Sequence, residues 1–131
     1  MISTRNLREN EAMPEGFATG FEKMPVMRDW VWIAESEGAA IGVMLAAPCH
    51  GLVYMVRLCV KDGANQAVAT ILIRACMAEC SKRGFKGYFF HVDPMREIER
   101  NLIPICRKAK AIQVTIPQIA IIGSVEDAVK L

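Results

Sequence analysis

Hydrophobic and polar positions alternate first with the period of a strand and then with that of a helix, and each change of period marks an element. A short strand is expected at residues 1–5. Residues 9–25, a mixture of Glu, Gly, Met and Pro, read as helix and loop. Trp30 and Trp32 then alternate with Val31 and Ile33, which puts both indoles on one strand face. Glu35, Glu37 and Gly38 make a polar break, and the apolar run 39–47 completes a β-hairpin. After a loop at 48–51, Leu52, Tyr54, Val56, Leu58 and Val60 fall on one face of a central strand, with Met55, Arg57 and Cys59 on the other.

From Asn65 the period becomes helical: Val68, Ile71, Leu72, Ala75 and Cys76 form an apolar stripe, with Arg74, Glu79 and Lys82 opposite. Asn65 suits the N-cap, Lys82 and Arg83 the last turn, and Gly84 the stop. Residues 87–92 read as a second buried strand. The strand–helix–strand order favours a parallel pair joined by a right-handed crossover. Asp93 is the expected cap of a further helix with Pro94 at its first position and a kink or break at Pro104. The β-branched tail, interrupted by Pro117, makes two short strands or one bent edge strand, and Ser124 with Asp127 resembles a capping box for a last helical turn.

Composition narrows the class. The chain has 131 residues, 53% hydrophobic and 23% charged, which suits one α/β domain able to bury a core without disulfides. No apolar run approaches the ~18 residues of a membrane span, and the first ten residues lack a secretory pattern, so a cytoplasmic, non-secreted protein with no membrane partner is expected. Five cysteines in apolar surroundings read as reduced core thiols. Net charge is +2 but uneven: residues 57–110 carry eleven Lys/Arg against five Asp/Glu. That excess attracts phosphates, yet the whole chain is far from the basic footprint of a nucleic-acid binder. The Cys76/Cys80 pair and the neighbours Cys49 and His50 would have to assemble a zinc site from three separate elements, so no metal is expected.

The order strand, helical region, hairpin, long strand, helix, strand, helix, terminal strands resembles the GNAT superfamily of acyl-CoA N-acyltransferases. The similarity is strongest over residues 54–94: the strand ending Leu58-Cys59-Val60, the loop 61–64, the helix from Asn65, and Gly84-Phe85-Lys86-Gly87 leading into the next strand. The resemblance implies a single-domain α/β fold over residues 1–131, with a mixed sheet and flanking helices. In that family an Arg/Gln-x-x-Gly-x-Gly/Ala loop presents backbone N–H groups to the pyrophosphate of coenzyme A at a helix start. Carried onto this chain, that role falls to Asn65, Gln66, Ala67 and Val68. The stretch reads Gly63-Ala64-Asn65-Gln66-Ala67-Val68-Ala69-Thr70, so side chains stand near the family's glycines and crowd the approach of phosphate oxygens. The family's general-acid tyrosine, on the helix after the second strand, has no counterpart among residues 96–105.

Two functions are therefore expected as alternatives. One is a degenerate, non-catalytic relative without cofactor, serving with protein partners as a structural or interaction component of a larger assembly, such as a phage virion component. The other is an active N-acyltransferase moving an acetyl group from acetyl-CoA to an amine. The oxyanion would then be held by an N–H of residues 58–60 and the base drawn from Glu35, Glu37 or His91, with no catalytic residue assigned.

Overall fold

The computed structural model describes residues 1–17, 21, 27–62, 66–115 and 119–131, with strand residues 113–115 and 119–120 described by backbone alone. The strands are β1 (Ile2–Asn6), β2 (Val31–Ser36), β3 (Ala39–Cys49), β4 (Leu52–Val60), β5 (Gly87–Val92), β6 (Ile112–Thr115) and β7 (Ile119–Ser124). The helices are α1 (Ala67–Lys82), α2 (Glu97–Lys108) and α3 (Val125–Val129). The strands form one mixed sheet in the order β1-β2-β3-β4-β5-β7-β6. Every pairing is antiparallel except β4 with β5, the two strands that α1 connects. A parallel pair needs such a crossover, because a tight turn reverses the chain.

The reversals on either side of β3 are both two-residue turns. Glu37 (φ 54) and Gly38 (φ 80) join β2 to β3, and His50 (φ 51) and Gly51 (φ 80) join β3 to β4. Consecutive positive φ angles give the turn whose twist matches the flanking strands, and glycine at the second place makes it accessible.

The helices cover one face of the sheet. Val68, Leu72, Ile73, Cys76 and Met77 of α1 pack there against Trp32, Met44, Val53, Met55 and Leu58, and Leu102 and Cys106 of α2 extend the same core. Of the stripe foreseen on α1, Val68, Leu72 and Cys76 are buried, but Ile71 and Ala75 are only half-buried, and the buried face turns instead to Ala69, Ile73, Met77 and Cys80. The other face is covered over β1–β3 by Leu7, Phe17 and Phe21, which pack on Val31, Ile33, Val43 and Leu45. At the far end of the sheet Ile112 and Ile122 stay exposed.

Several expectations need correcting. Trp30 lies in a short 3-10 turn (Arg28–Trp30) that precedes β2, and it meets Trp32 edge to face at 6.1 Å. No α-helix lies in the described part of residues 9–25. Asp93 does not cap α2: its side chain accepts from the Met95 N–H at 2.9 Å, so residues 93–96 form a turn and the helix begins at Glu97. α2 also runs through Pro104 without interruption, giving up the one N–H that proline lacks. The tail resolves as two strands. Ser124 Oγ accepts the Asp127 N–H at 3.1 Å and caps α3, as the sequence suggested.

Candidate functional site

The strict alternation expected along β4 fails at Val56. Leu45 pairs with Arg57 and Ala46 with Met55, so Val56 is an extra residue, a β-bulge. The bulge changes the phase of the strand. Val53 and Met55 before it and Leu58 after it all face the helices, whereas Val56 and Cys59 pack against the opposite core.

β4 also separates from its parallel neighbour. Pairing with β5 is confined to Val53↔Tyr88 and Tyr54↔Phe89, after which the two strands diverge. Backbone groups on the β5 side of β4 beyond this point have no strand to bond. The Leu58 carbonyl is one of them, and in an extended strand the Leu58 N–H points the same way. Such a notch brings a row of main-chain donors and acceptors within reach of a ligand.

A side chain of the protein reaches into the notch. Arg96, from the turn before α2, donates from Nη2 to the Leu58 carbonyl at 2.9 Å and lies 3.6 Å from Cys59 Sγ. Its Nη1 bonds Glu99 Oε2 at 2.6 Å. Behind this clamp, among Met55, Leu58, Ile73, Phe90 and Leu102, the remaining cavity is about 20 Å³, room for one water. Three further polar atoms stand out: Arg57 Nε, Gln66 Nε2 and, away from the notch, the Tyr88 hydroxyl are buried without a hydrogen-bond partner among the described residues.

Of the residues singled out for phosphate binding, Asn65 lies outside the described residues. Gln66 precedes α1 with helical dihedrals and makes no side-chain cap, and the first turn of the helix carries no acid. Ala67 is exposed, while the Val68 side chain belongs to the core and faces β3, where a methyl on Gly42 would come within 2.8 Å of it. The proposed bases are not gathered at the notch. Glu35 Oε1 is bonded by Arg5 Nε at 2.7 Å, and Glu37 sits exposed in the hairpin turn. Of the three, His91 alone lines the notch, exposed and edge-on to Tyr54 and Phe89.

The cysteines are free thiols. Cys76 and Cys80 are neighbouring free thiols one turn apart on α1, and their interaction raises the Cys76 pKa and lowers that of Cys80. Among the described residues no group of three His, Cys, Asp or Glu could hold a metal ion, and no helix is long and apolar enough to cross a membrane. Away from the notch, burial pushes the Cys106 thiol up to about 11 and raises the adjacent Tyr88 hydroxyl as well.

Arg96 and Glu99 were absent from the candidate site residues picked out in the sequence, and Val56 was read there as one position of an unbroken alternation. A bulge is a property of pairing, and Arg96 meets Leu58 across 38 positions of chain.

Neither a protein-family model nor a curated protein matches the sequence. Solved structures do. Ard1 from Thermoplasma volcanium is similar with a TM-score of 0.72 at 10% identity, over 94% of this chain and 97% of that one. A diaminobutyrate acetyltransferase from Paenibacillus lautus, in complex with L-2,4-diaminobutyric acid and coenzyme A, gives 0.68 at 13% identity over 93% of each chain. A GNAT family acetyltransferase from Elizabethkingia anophelis with acetyl-CoA bound gives 0.67 at 8% identity, over 94% of this chain and 97% of that one. Over nearly its whole length, then, this chain has the α/β fold of the GNAT acyl-CoA N-acyltransferases.

Proposed function

We propose that the chain binds an acyl-coenzyme A in the notch between β4 and β5 and passes the acyl group to an amine. The observation that carries this reading is the combination of the Val56 bulge and the divergence of β4 from β5, which leaves the Leu58 peptide facing the gap between the strands, where the protein meets it with the Arg96 side chain. Both features forgo sheet hydrogen bonds, a loss that a ligand's amides would offset. The residues present fit such a ligand. At the start of α1, Gln66 Nε2 is a buried donor without a partner, and no acid in the first turn opposes an anion there. Asn65, Gln66, Ala67 and Val68 would hold the phosphates, and acetyl-CoA is the cofactor this reading implies. Bound there, the thioester would supply an activated acyl carbon for an amine acceptor, the carbon–sulfur bond giving way to a carbon–nitrogen bond and the thiol carrying off the amine's proton.

The chain's own part is positional. On this reading the Leu58 N–H would stabilise charge on the carbonyl oxygen, and Arg96 would withdraw from the Leu58 carbonyl for the ligand to seat.

A second reading is favoured by the clamp itself. With Arg96 on Leu58, a cavity of about 20 Å³ and no tyrosine on α2, the notch is filled by protein. On this reading the domain is a degenerate, non-catalytic structural or interaction component of a larger assembly. Calorimetry with acetyl-CoA separates the two: saturable binding supports the first, and no binding at millimolar ligand supports the second.

A further inference from the structure

We propose that Arg57 is the residue that recognises a carboxylate on the acyl acceptor, so that the substrate class is a primary amine bearing an acidic group. This rests on the acyl-transfer reading above for the reaction, but not for the binding of the carboxylate.

Arg57 is the second residue of the β4 bulge, and it is the arginine of the notch whose Nε no described protein group satisfies. Its Nε is buried, and it makes no hydrogen bond or ion pair with any described residue. The other arginines near the sheet are occupied. Arg5 bonds Glu11 and Glu35, Arg83 lies over the Trp30 ring at 5.1 Å and reaches the Asp29 carbonyl, and Arg96 holds Glu99 and the Leu58 carbonyl. A guanidinium stays charged at any physiological pH, so burying part of one without a partner costs free energy that a ligand anion recovers. Its fork of donors matches the two oxygens of a carboxylate.

The surroundings select the rest of the ligand. Glu99, the acid lining the notch, is taken by Arg96, so no carboxylate of the lining is left to receive a second cation. That disfavours polyamines and lysine side chains as acceptors and favours a molecule that brings its own negative charge. Beside the notch, Tyr54 stacks on Phe89 at 4.8 Å with His91 edge-on at 5.9 Å to Tyr54, an aromatic platform on the sheet face that the helices do not cover. Arg57 directly precedes Leu58, whose peptide faces the opening. A carboxylate on Arg57 therefore anchors the acceptor next to the position where the carbonyl oxygen would be held.

The carboxylate could belong to a free amino acid or to an acidic peptide, and the test has an arm for each. Acetyl transfer from acetyl-CoA is measured to glutamate against its diamide, which carries no carboxylate, and to a C-terminally amidated peptide beginning with aspartate against its asparagine counterpart. The acid is expected to be used about tenfold or more better than the amide in one arm, through KM. Arg57→Met should erase that preference and Arg57→Lys restore part of it. Separately, with no acetyl-CoA present, the Arg57 Nε–H resonance of the wild-type protein is followed while glutarate is added. A saturable shift is expected. Equal use of acid and amide in both arms, or no shift with glutarate, overturns the proposal. If acetyl-CoA does not bind, the acyl-transfer reading falls and the glutarate titration alone decides the role of Arg57. That measurement needs no variant, so misfolding of Arg57→Met leaves it intact.

Discussion

Arg96 donates to the Leu58 carbonyl at 2.9 Å across the gap that opens where β4 leaves β5. The contact makes the protein its own ligand at a main-chain acceptor the sheet leaves unused. Arg96 comes from the turn 93–96, at the N-cap of α2, and its other guanidinium nitrogen is held by Glu99.

Arg96→Ala should loosen the free protein and leave its ligand site more open. The charged hydrogen bond to a carbonyl at a half-buried site is worth about 1 kcal/mol. Urea unfolding is expected to show that loss, while calorimetry shows acetyl-CoA binding as tight as wild type or tighter. Weaker binding by the variant would mean that Arg96 holds the ligand instead of standing in its place.

The close seat of α1 on the sheet predicts sensitivity in the core. Leu72 and Met77 are fully buried between α1 and the strands, so Leu72→Ala should cost roughly 3 kcal/mol through lost burial and a cavity. Gly123→Ala acts in the opposite sense, by overfilling. A methyl there would lie 2.7 Å from the Tyr88 hydroxyl, on a ring that is 1% exposed, and a loss of about 1–3 kcal/mol in denaturant titration is expected.

Acid should weaken the link between β1 and the segment that follows it. Arg5 holds the Glu11 carboxylate at 2.7 Å and, with the Arg8 N–H, lowers its pKa from 4.5 to about 2. A depressed carboxylate adds stability above its unfolded value and loses it as pH falls, here between about 4.5 and 2. Glu11→Gln should flatten the stability profile of that window, measured by urea midpoints. An unchanged slope would remove Glu11 from the account.

At the alkaline end the sign reverses. Cys106 is raised from 9.0 to about 11 by burial, and Tyr88 is raised too, so the folded protein retains protons that the unfolded chain releases. Stability should fall as pH rises above about 9, and Tyr88 phenolate absorbance should appear only together with unfolding. Ionisation of both tyrosines in the folded protein would contradict the burial of Tyr88.

Much of the scaffold was legible in the sequence because it follows from local periodicity. The apolar stripe of α1, the β2–β3 hairpin around Glu37-Gly38 and the Ser124 cap each depend on residues within a turn of one another. The start of α2 was misplaced because an Asp before a Pro can cap a helix or close a turn on itself, and Asp93 does the latter. The site was harder to see. The Val56 bulge exists only in the register of β4 against β3, and an alternation rule applied to β4 alone carries it past unnoticed. Arg57 was read as one position on the second face of a central strand, and that no described residue meets its Nε is visible only in three dimensions.

The central claim is that the opening between β4 and β5 is a thioester site that Arg96 covers in the free protein. Titrating acetyl-CoA into the wild-type chain by calorimetry, with melting followed in parallel, tests it most directly. Saturable one-to-one binding is predicted, with roughly 2–3 kcal/mol of added stability at a hundredfold excess over Kd and a melting temperature higher by several degrees. No heat and no shift at millimolar acetyl-CoA, in both the wild type and Arg96→Ala, would contradict it.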